Sequence, residues 1–146
     1  MSSKSLFITS LLFTLLSTHI FAESIHFKNL SGSWHLRVLD GKEVRKARAI
    51  LEFDEGSMKI AGFDGCNSIS GLLQEDPTTH NYHTKLTSTR MVCRGSIHRY
   101  VSQNLHQTLE SRFIIKKETK YGIKGITIKS NKHELFFKKM GKDSWF

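Results

Sequence analysis

The stretch "ILEFDEGSMKIAGFDGCNSISGLL", residues 50–73, decides the fold. Its first half predicts two short strands, around Ile50–Phe53 and Met58–Ala61, which reverse at Glu55-Gly56. Its second half is rich in glycine and short polar residues. These residues favour turns, because glycine accepts positive φ and Asp or Asn side chains bond to nearby amides. We therefore expect a stiff bend between strands at residues 62–71.

The flanking sequence predicts more strands and one helix. "LSGSWHLRVLDGKEV" alternates apolar and polar residues up to a turn at Asp40-Gly41, and "HNYHTKLTSTRMVC" predicts a strand with Tyr82 facing inward. "GSIHRYVSQNLHQTLESR" has helical periodicity with Ser96 as a candidate cap, and three more strands follow. The order of three to four strands, a helix and three strands predicts a mainly β, β-rich α+β fold. We expect a small antiparallel sheet curled toward a barrel, with one helix packed on it.

The first 22 residues have the layout of a signal peptide. Lys4 is the only charge before Glu23, Leu6–Leu16 is a short apolar run, and Ala22 suits a signal peptidase. An N-terminal membrane anchor is the alternative, although the run is short for a span. The leader contains no cysteine to be lipidated. We expect a single domain at residues 23–146, located in the periplasm or secreted, and monomeric.

The chain is basic, with a formal net charge of +9. Loss of Lys4 with the leader leaves 21 bases against 13 acids, a net charge of +8. Many of these bases lie after Lys116, and the alternation predicts that Lys124, Lys129 and Lys138 form part of a basic outer surface. Such a surface attracts anionic lipid or an acidic protein, or it only keeps the protein soluble. Export disfavours nucleic acid as a partner.

Two cysteines remain after the leader, Cys66 and Cys93. An even cysteine count in an exported domain predicts a disulfide. Two buried free thiols are the alternative. A zinc site is disfavoured because the sequence has no Cys-x-x-Cys motif.

The combination of Gly65-Cys66-Asn67 with Thr89-Arg90-Met91-x-Cys93, followed by a helix, resembles the META domain, also called the HslJ family. The resemblance extends over about residues 30–139. It implies an exported or lipid-anchored bacterial protein linked to heat-shock and drug stress, with a barrel-like sheet and a helix. It also implies similarity to a type III secretion pilot lipoprotein that holds a lipid. This chain lacks the lipidated leader cysteine of many members, so membrane tethering does not carry over.

The glycine-rich segment has a structural and a functional interpretation. The structural one is a self-capped bend in which Cys66 is fixed where Cys93 can reach it. In the functional one, exposed residues of the two motifs contact a protein partner. The candidate contact residues are Asp64, Gly65, Asn67, Ser68, Ser70 and Arg90. We favour the bend.

No enzyme signature is present in the sequence. It contains no Gly-x-Ser-x-Gly, Walker or Gly-x-Gly-x-x-Gly motif, and we assign no catalytic residue and no cofactor. His80 and His83 lie in a loop-like segment without a third ligand, so we predict no metal site. His98 and His106 are interpreted as exposed helix residues, and Met91 and Trp34 as core residues.

Three functions remain open. The first is a non-enzymatic envelope protein that acts through protein contacts in stress tolerance or in envelope or secretion assembly. The second is a carrier of an apolar ligand such as a lipid tail, held inside the curled sheet. The third is an inhibitor of an envelope or host hydrolase. The inner face separates the first two, because large side chains at its inward positions leave no room for a ligand. The inward residues expected to fill a small barrel are Phe53, Ile60, Leu73, Phe113, Ile128, Leu135 and Phe137.

Overall fold

The structure is a computed structural model that describes residues 30–141. The predicted signal peptide at residues 1–22 and its cleavage site lie outside the described residues. Within the described range, no helix has the length and apolar character needed to cross a membrane.

Ten strands and one α-helix make up the described chain. The strands before the helix are β1 Gly32–Leu39, β2 Lys42–Glu43, β3 Ile50–Asp54, β4 Lys59–Phe63, β5 Ser68–Glu75, β6 Tyr82–Thr84 and β7 Thr87–Ser88. The helix α1 is Ser96–Glu110. The strands after it are β8 Phe113–Lys120, β9 Ile123–Ser130 and β10 Glu134–Lys139. A short 3-10 helix, Arg45–Ala47, lies between β2 and β3.

All strand pairs are antiparallel, and the sheet closes on itself as a ring. The path runs β1-β3-β4-β5-β6-β8-β9-β10, and β10 pairs again with β1. β2 adds to β1, and β7 adds to β5. β6 and β8 share one registered pair, Tyr82 with Phe113. The predicted antiparallel sheet with a single helix is confirmed.

The concave face of the ring is filled with large apolar side chains. All seven residues that the alternation pattern placed inward are buried; they are Phe53, Ile60, Leu73, Phe113, Ile128, Leu135 and Phe137. Tyr82 and Trp34 are also buried, as predicted, and the Trp34 indole N–H donates to the Leu30 carbonyl at 2.8 Å. The interior is therefore a packed core.

The helix covers the core with one apolar face. Val101, Leu105 and Leu109 are completely buried, and the helix packs against the 3-10 helix, β6 and β9. The prediction that Ser96 caps the helix is wrong. Ser96 is the first helical residue, and the N-cap is Gly95, which has no side chain to bond to the first amides.

The bend expected at residues 62–71 is shorter than predicted. Gly62 belongs to β4 and Gly71 to β5, so the reversal occupies only residues 64–67. Gly62 has φ +147°, and a Cβ there would lie 2.0 Å from the Ile50 carbonyl oxygen. Glycine at position 62 therefore allows β3 to pair closely with β4, rather than making the turn.

Seven strands precede the helix, rather than the three to four predicted. The missed strands include β5, whose sequence SISGLLQE opens with serine and glycine, residue types that favour turns in isolation. Its pairing with β4 on one side and with β6 and β7 on the other imposes the extended conformation. β2 and β7 are two residues each, too short to show an alternation.

Candidate functional site

The carboxylate of Asp64 lies at the centre of the corner between β4 and β5 and is completely buried. Its Oδ1 accepts hydrogen bonds from the backbone amides of Cys66 at 2.7 Å and Asn67 at 2.6 Å. Its Oδ2 accepts from the Ser102 hydroxyl at 2.9 Å and lies 2.6 Å from Nε2 of His106. Ser102 and His106 are on the helix, so this one side chain joins the corner to α1.

The pair of Asp64 and His106 has shifted pKa values. Burial raises the pKa of Asp64, but the hydrogen bonds from His106, the two amides and Ser102 outweigh it and lower the pKa. The hydrogen bond to Asp64 raises the pKa of His106 above its ordinary value, against the opposing effect of burial. Both shifts favour an ion pair, with the imidazole protonated and the carboxylate charged.

A serine, a histidine and an aspartate meet here, but their order differs from that of a nucleophilic triad. In a triad the histidine lies between the serine and the acid, so that it can accept the hydroxyl proton. Here Ser102 and His106 both bond to the same oxygen of Asp64, and the carboxylate lies between them. The Ser102 hydroxyl donates to the acid, an arrangement that fixes the helix and does not activate a nucleophile.

Asn67 holds the segment at residues 89–94, the 89–94 loop, against the same corner. Its side-chain oxygen accepts from the Met91 amide at 2.5 Å and from the Thr89 hydroxyl at 3.1 Å. Ser68 adds two bonds: its amide donates to Thr89 Oγ1 at 3.1 Å, and its carbonyl accepts from the Thr89 amide at 3.1 Å. The first half of the 89–94 loop is thus fixed through its backbone.

A disulfide between Cys66 and Cys93 fixes the other half, as the cysteine count predicted, with the two Cα atoms 4.7 Å apart. Cys66 is buried beside Asp64, whereas Cys93 is half-buried. Gly65 has φ +104°, a backbone conformation that favours glycine, and a Cβ there would lie in tight contact with the His98 carbonyl oxygen, at 3.2 Å. The corner therefore has a structural role, which is the interpretation we favoured.

The tip of the 89–94 loop exposes apolar side chains to solvent. Met91 is 68% exposed and Val92 is 91% exposed. The expectation that Met91 belongs to the core is wrong, because its side chain is exposed while its backbone amide is held by Asn67. Arg90 and Arg94 flank the pair and are also exposed. A fixed loop thus presents two apolar side chains between two positive charges.

The structure separates the candidate contact residues. Ser68 and Arg90 lie at the surface, and Ser70 bonds to Thr87 between β5 and β7. The prediction that Asp64 and Gly65 contribute to a contact surface is wrong, because both residues are buried and the Asp64 carboxylate is enclosed by four donors.

The basic surface predicted from alternation is divided between two faces. Lys129 and Lys138 face outward, and Lys129 lies 3.7 Å from a carboxylate oxygen of Glu134. Lys124 has the strand parity of the buried Ile126 and Ile128, so it lies on the concave side at the end of the ring.

Residues 30–141 contain no group of three or more His, Cys, Asp or Glu side chains positioned to hold a metal ion. His80 bonds to Glu75 at 3.1 Å instead of converging with His83.

The comparisons with known proteins agree with these motifs. The family model described as META domain matches residues 28–141. The chain belongs to the META domain family. The family match includes the Asp64 corner, the disulfide and the 89–94 loop, so these features lie within the META domain itself.

A solved structure extends the comparison to the fold. The NMR structure of the protein from Burkholderia xenovorans is similar to this META domain with a TM-score of 0.59 and 19% sequence identity. The match covers 82% of this chain and 89% of that chain. At this identity the similarity concerns the fold alone. A comparison with curated proteins gives no significant match.

The interpretation of His106 as an exposed helix residue is wrong, because its imidazole bonds to the buried carboxylate of Asp64. Sequence reasoning thus missed the roles of Ser102 and His106. They are four residues apart on α1 and therefore share one face of the helix. That spacing marks a polar patch on a helix whose other face is apolar. The acid that binds this patch lies 42 residues before His106, and no local pattern connects them.

Proposed function

We propose that this META domain protein is an exported, non-enzymatic envelope protein that acts by binding another protein through the 89–94 loop. The exposed pair Met91 and Val92 carries the proposal. A fixed conformation lowers the entropy lost on binding, and exposed apolar side chains on such a loop supply the contact area. The disulfide supports an oxidising compartment, and the family resemblance favours a role in stress tolerance or envelope assembly.

The chemistry of the loop defines its partner. Met91 and Val92 fit an apolar pocket, and Arg90 and Arg94 complement carboxylates at the rim of that pocket. Methionine adapts its shape to an irregular apolar surface. The partner is therefore a protein with an apolar pocket bordered by acidic side chains.

The packed interior supports this function over transport of a lipid tail. The seven inward residues that would surround such a tail are all buried against one another and the rest of the core. The arrangement of Ser102, His106 and Asp64 likewise gives no support to catalysis.

The test is site-specific photo-crosslinking in cells. A photo-reactive residue replaces Val92 in one variant and Leu72 in a control variant. Leu72 is 60% exposed and lies on β5, outside the 89–94 loop. We expect a discrete cross-linked protein with the position-92 probe only, and its loss when Arg90→Glu and Arg94→Glu are added. Identical adducts from both positions would contradict the proposal.

A further inference from the structure

The concave face of the ring changes from apolar to basic side chains toward one end. Directly opposed residues of an antiparallel sheet share a face, so the strand registers define rows across β8, β9, β10 and β1. The first row is apolar and consists of Ile115, Ile128, Leu135 and Leu39. The second row is Lys117, Ile126, Phe137 and Leu36.

The third row forms the end of the ring. Lys124 pairs with Thr119 on β8, and Trp34 pairs with Lys139 on β1 and β10. The β9–β10 register ends at Gly125 with Lys138, so its next position places Lys124 beside Lys139. Lys117, Lys124 and Lys139 therefore lie on the same face of the sheet as the core residues. We call Lys117, Lys124, Lys139 and the Trp34 ring beneath them the lysine mouth.

The lysine mouth is an open groove of about 440 Å³. Its lining consists of Trp34, Lys117, Glu118, Thr119, Lys124, Gly125 and Lys139. The one acid among them is engaged elsewhere, because the Glu118 carboxylate accepts from the Thr127 hydroxyl and lies 3.3 Å from the Lys120 ammonium. The groove therefore has an excess of positive charge.

The ammonium groups of the lysine mouth lack acidic partners within residues 30–141. The ion pairs of the neighbouring lysines are made by Lys120 and Lys129, with Glu118 and Glu134. Lys139 instead lies 5.6 Å from the centre of the Trp34 ring. Like charges on adjacent strands repel, so this cluster costs free energy in the absence of an anion.

We propose that the lysine mouth binds a phosphate group. Lysine binds phosphate as a point charge, and three ammonium groups around one groove match the multiple charges of a phosphate ester or pyrophosphate. The Trp34 ring, which lines the same groove, suits an organic group attached to that phosphate. The phosphate belongs either to a soluble ester or to the headgroup of an anionic lipid.

Inorganic pyrophosphate is the first probe, with the fluorescence of Trp34 as the readout. The chain has two tryptophans, and Trp145→Phe leaves Trp34 as the only reporter. We expect saturable binding to the purified protein. The triple variant Lys117→Gln, Lys124→Gln, Lys139→Gln should bind at least about tenfold more weakly.

The matched control removes three positive charges from positions outside the groove. Lys116, Lys132 and Lys138 are exposed and lie outside the lysine mouth. Their triple change to Gln should leave the affinity within about twofold, because charges outside the groove act only through a screened field. Equal weakening in the two triple variants would overturn the proposal. Lys124→Gln alone supplies the same comparison if the inner triple variant does not fold.

Vesicles distinguish the two sources of the phosphate. Phosphatidylcholine vesicles with and without phosphatidylglycerol are sedimented with each protein. Binding that requires phosphatidylglycerol and the inner lysines assigns a lipid headgroup. Pyrophosphate binding without vesicle binding assigns a soluble ester. No response to either probe would refute the site.

Discussion

A buried carboxylate costs free energy unless hydrogen-bond donors surround it, and Asp64 has four. Two of these donors come from its own turn and two from the helix. The same residue therefore shapes the corner and positions α1 against it. Removal of one donor leaves the buried carboxylate with too few hydrogen bonds. The contributions of the four donors to stability are therefore coupled.

The ion pair between Asp64 and His106 predicts a pH-dependent stability. The pKa of His106 is raised, so its contribution is complete below the ordinary value of 6.5 and is lost as pH rises through the raised pKa. The pKa of Asp64 is lowered, so its contribution is present above the ordinary value of 3.8 and is lost as pH falls through the lowered pKa. The pair stabilises the fold most between these two ordinary values.

Urea unfolding of the protein and its His106→Gln variant measures this effect. Between about pH 5.5 and about pH 8.5, the parent should lose more free energy of unfolding than the variant. His83→Gln is the control, because His83 is exposed on β6 and distant in sequence from the pair. An equal pH dependence in the parent and His106→Gln would show that the pair does not contribute.

At the scale of elements, the 89–94 loop depends on contacts distant in sequence. The bond from Met91 to Asn67 spans 24 residues, and the disulfide spans 27. These links fix the connection between β7 and α1, which has no strand or helix of its own. The loop therefore keeps its shape through side-chain and disulfide bonds to the β4–β5 corner.

The disulfide should contribute about 3 kcal/mol to the free energy of unfolding, from the chain-entropy cost of the loop that it closes. The double variant Cys66→Ser, Cys93→Ser should therefore melt several degrees lower by circular dichroism. Addition of a reductant should lower the melting temperature of the parent and leave that of the variant unchanged. Identical melting of the oxidised and reduced parent would contradict the prediction.

Which features could be predicted from the sequence depends on the same distinction between local and distant contacts. The β3–β4 hairpin was predicted because its alternation and its Glu55-Gly56 turn are local signals. The strand β5 was missed because its pairing partners, and not its own serine and glycine, make it extended. Met91 was assigned to the core because apolar residues are usually buried. It is exposed in a loop whose backbone is held by the distant Asn67, a contact that no local pattern indicates.

At the scale of the whole molecule, the ring has a single packed core, and every strand along the path of the ring contributes side chains to it. Phe137 is completely buried on β10, opposite Leu36 on β1 and Ile126 on β9. The lysine mouth begins in this row with Lys117 on β8 and continues in the next row with Lys124, Lys139 and Trp34. The core thus ends abruptly, because the inward position two residues from Phe137 is Lys139 on β10 and the one two residues from Ile126 is Lys124 on β9, while Trp34 occupies it on β1.

Phe137→Ala should lower the free energy of unfolding by about 3–5 kcal/mol, because it leaves a cavity where three strands meet. Phe63→Ala is the matched control, since Phe63 is 37% exposed and should cost half as much or less. Urea unfolding followed by circular dichroism gives both values. Equal losses in the two variants would indicate that the ring has no single central core.

The pairing of β1 with β10 also has a kinetic consequence. Trp34 pairs with Lys139, so the first and last described strands are neighbours although almost the whole domain separates them in the chain. Contacts of such high contact order form slowly, because the intervening chain must be ordered before they are made. A chain that is synthesised from the N-terminus onward cannot complete the ring until β10 has also been made. Until then β1 has an unpaired edge, which makes the unfinished protein a substrate for chaperones or a site of aggregation.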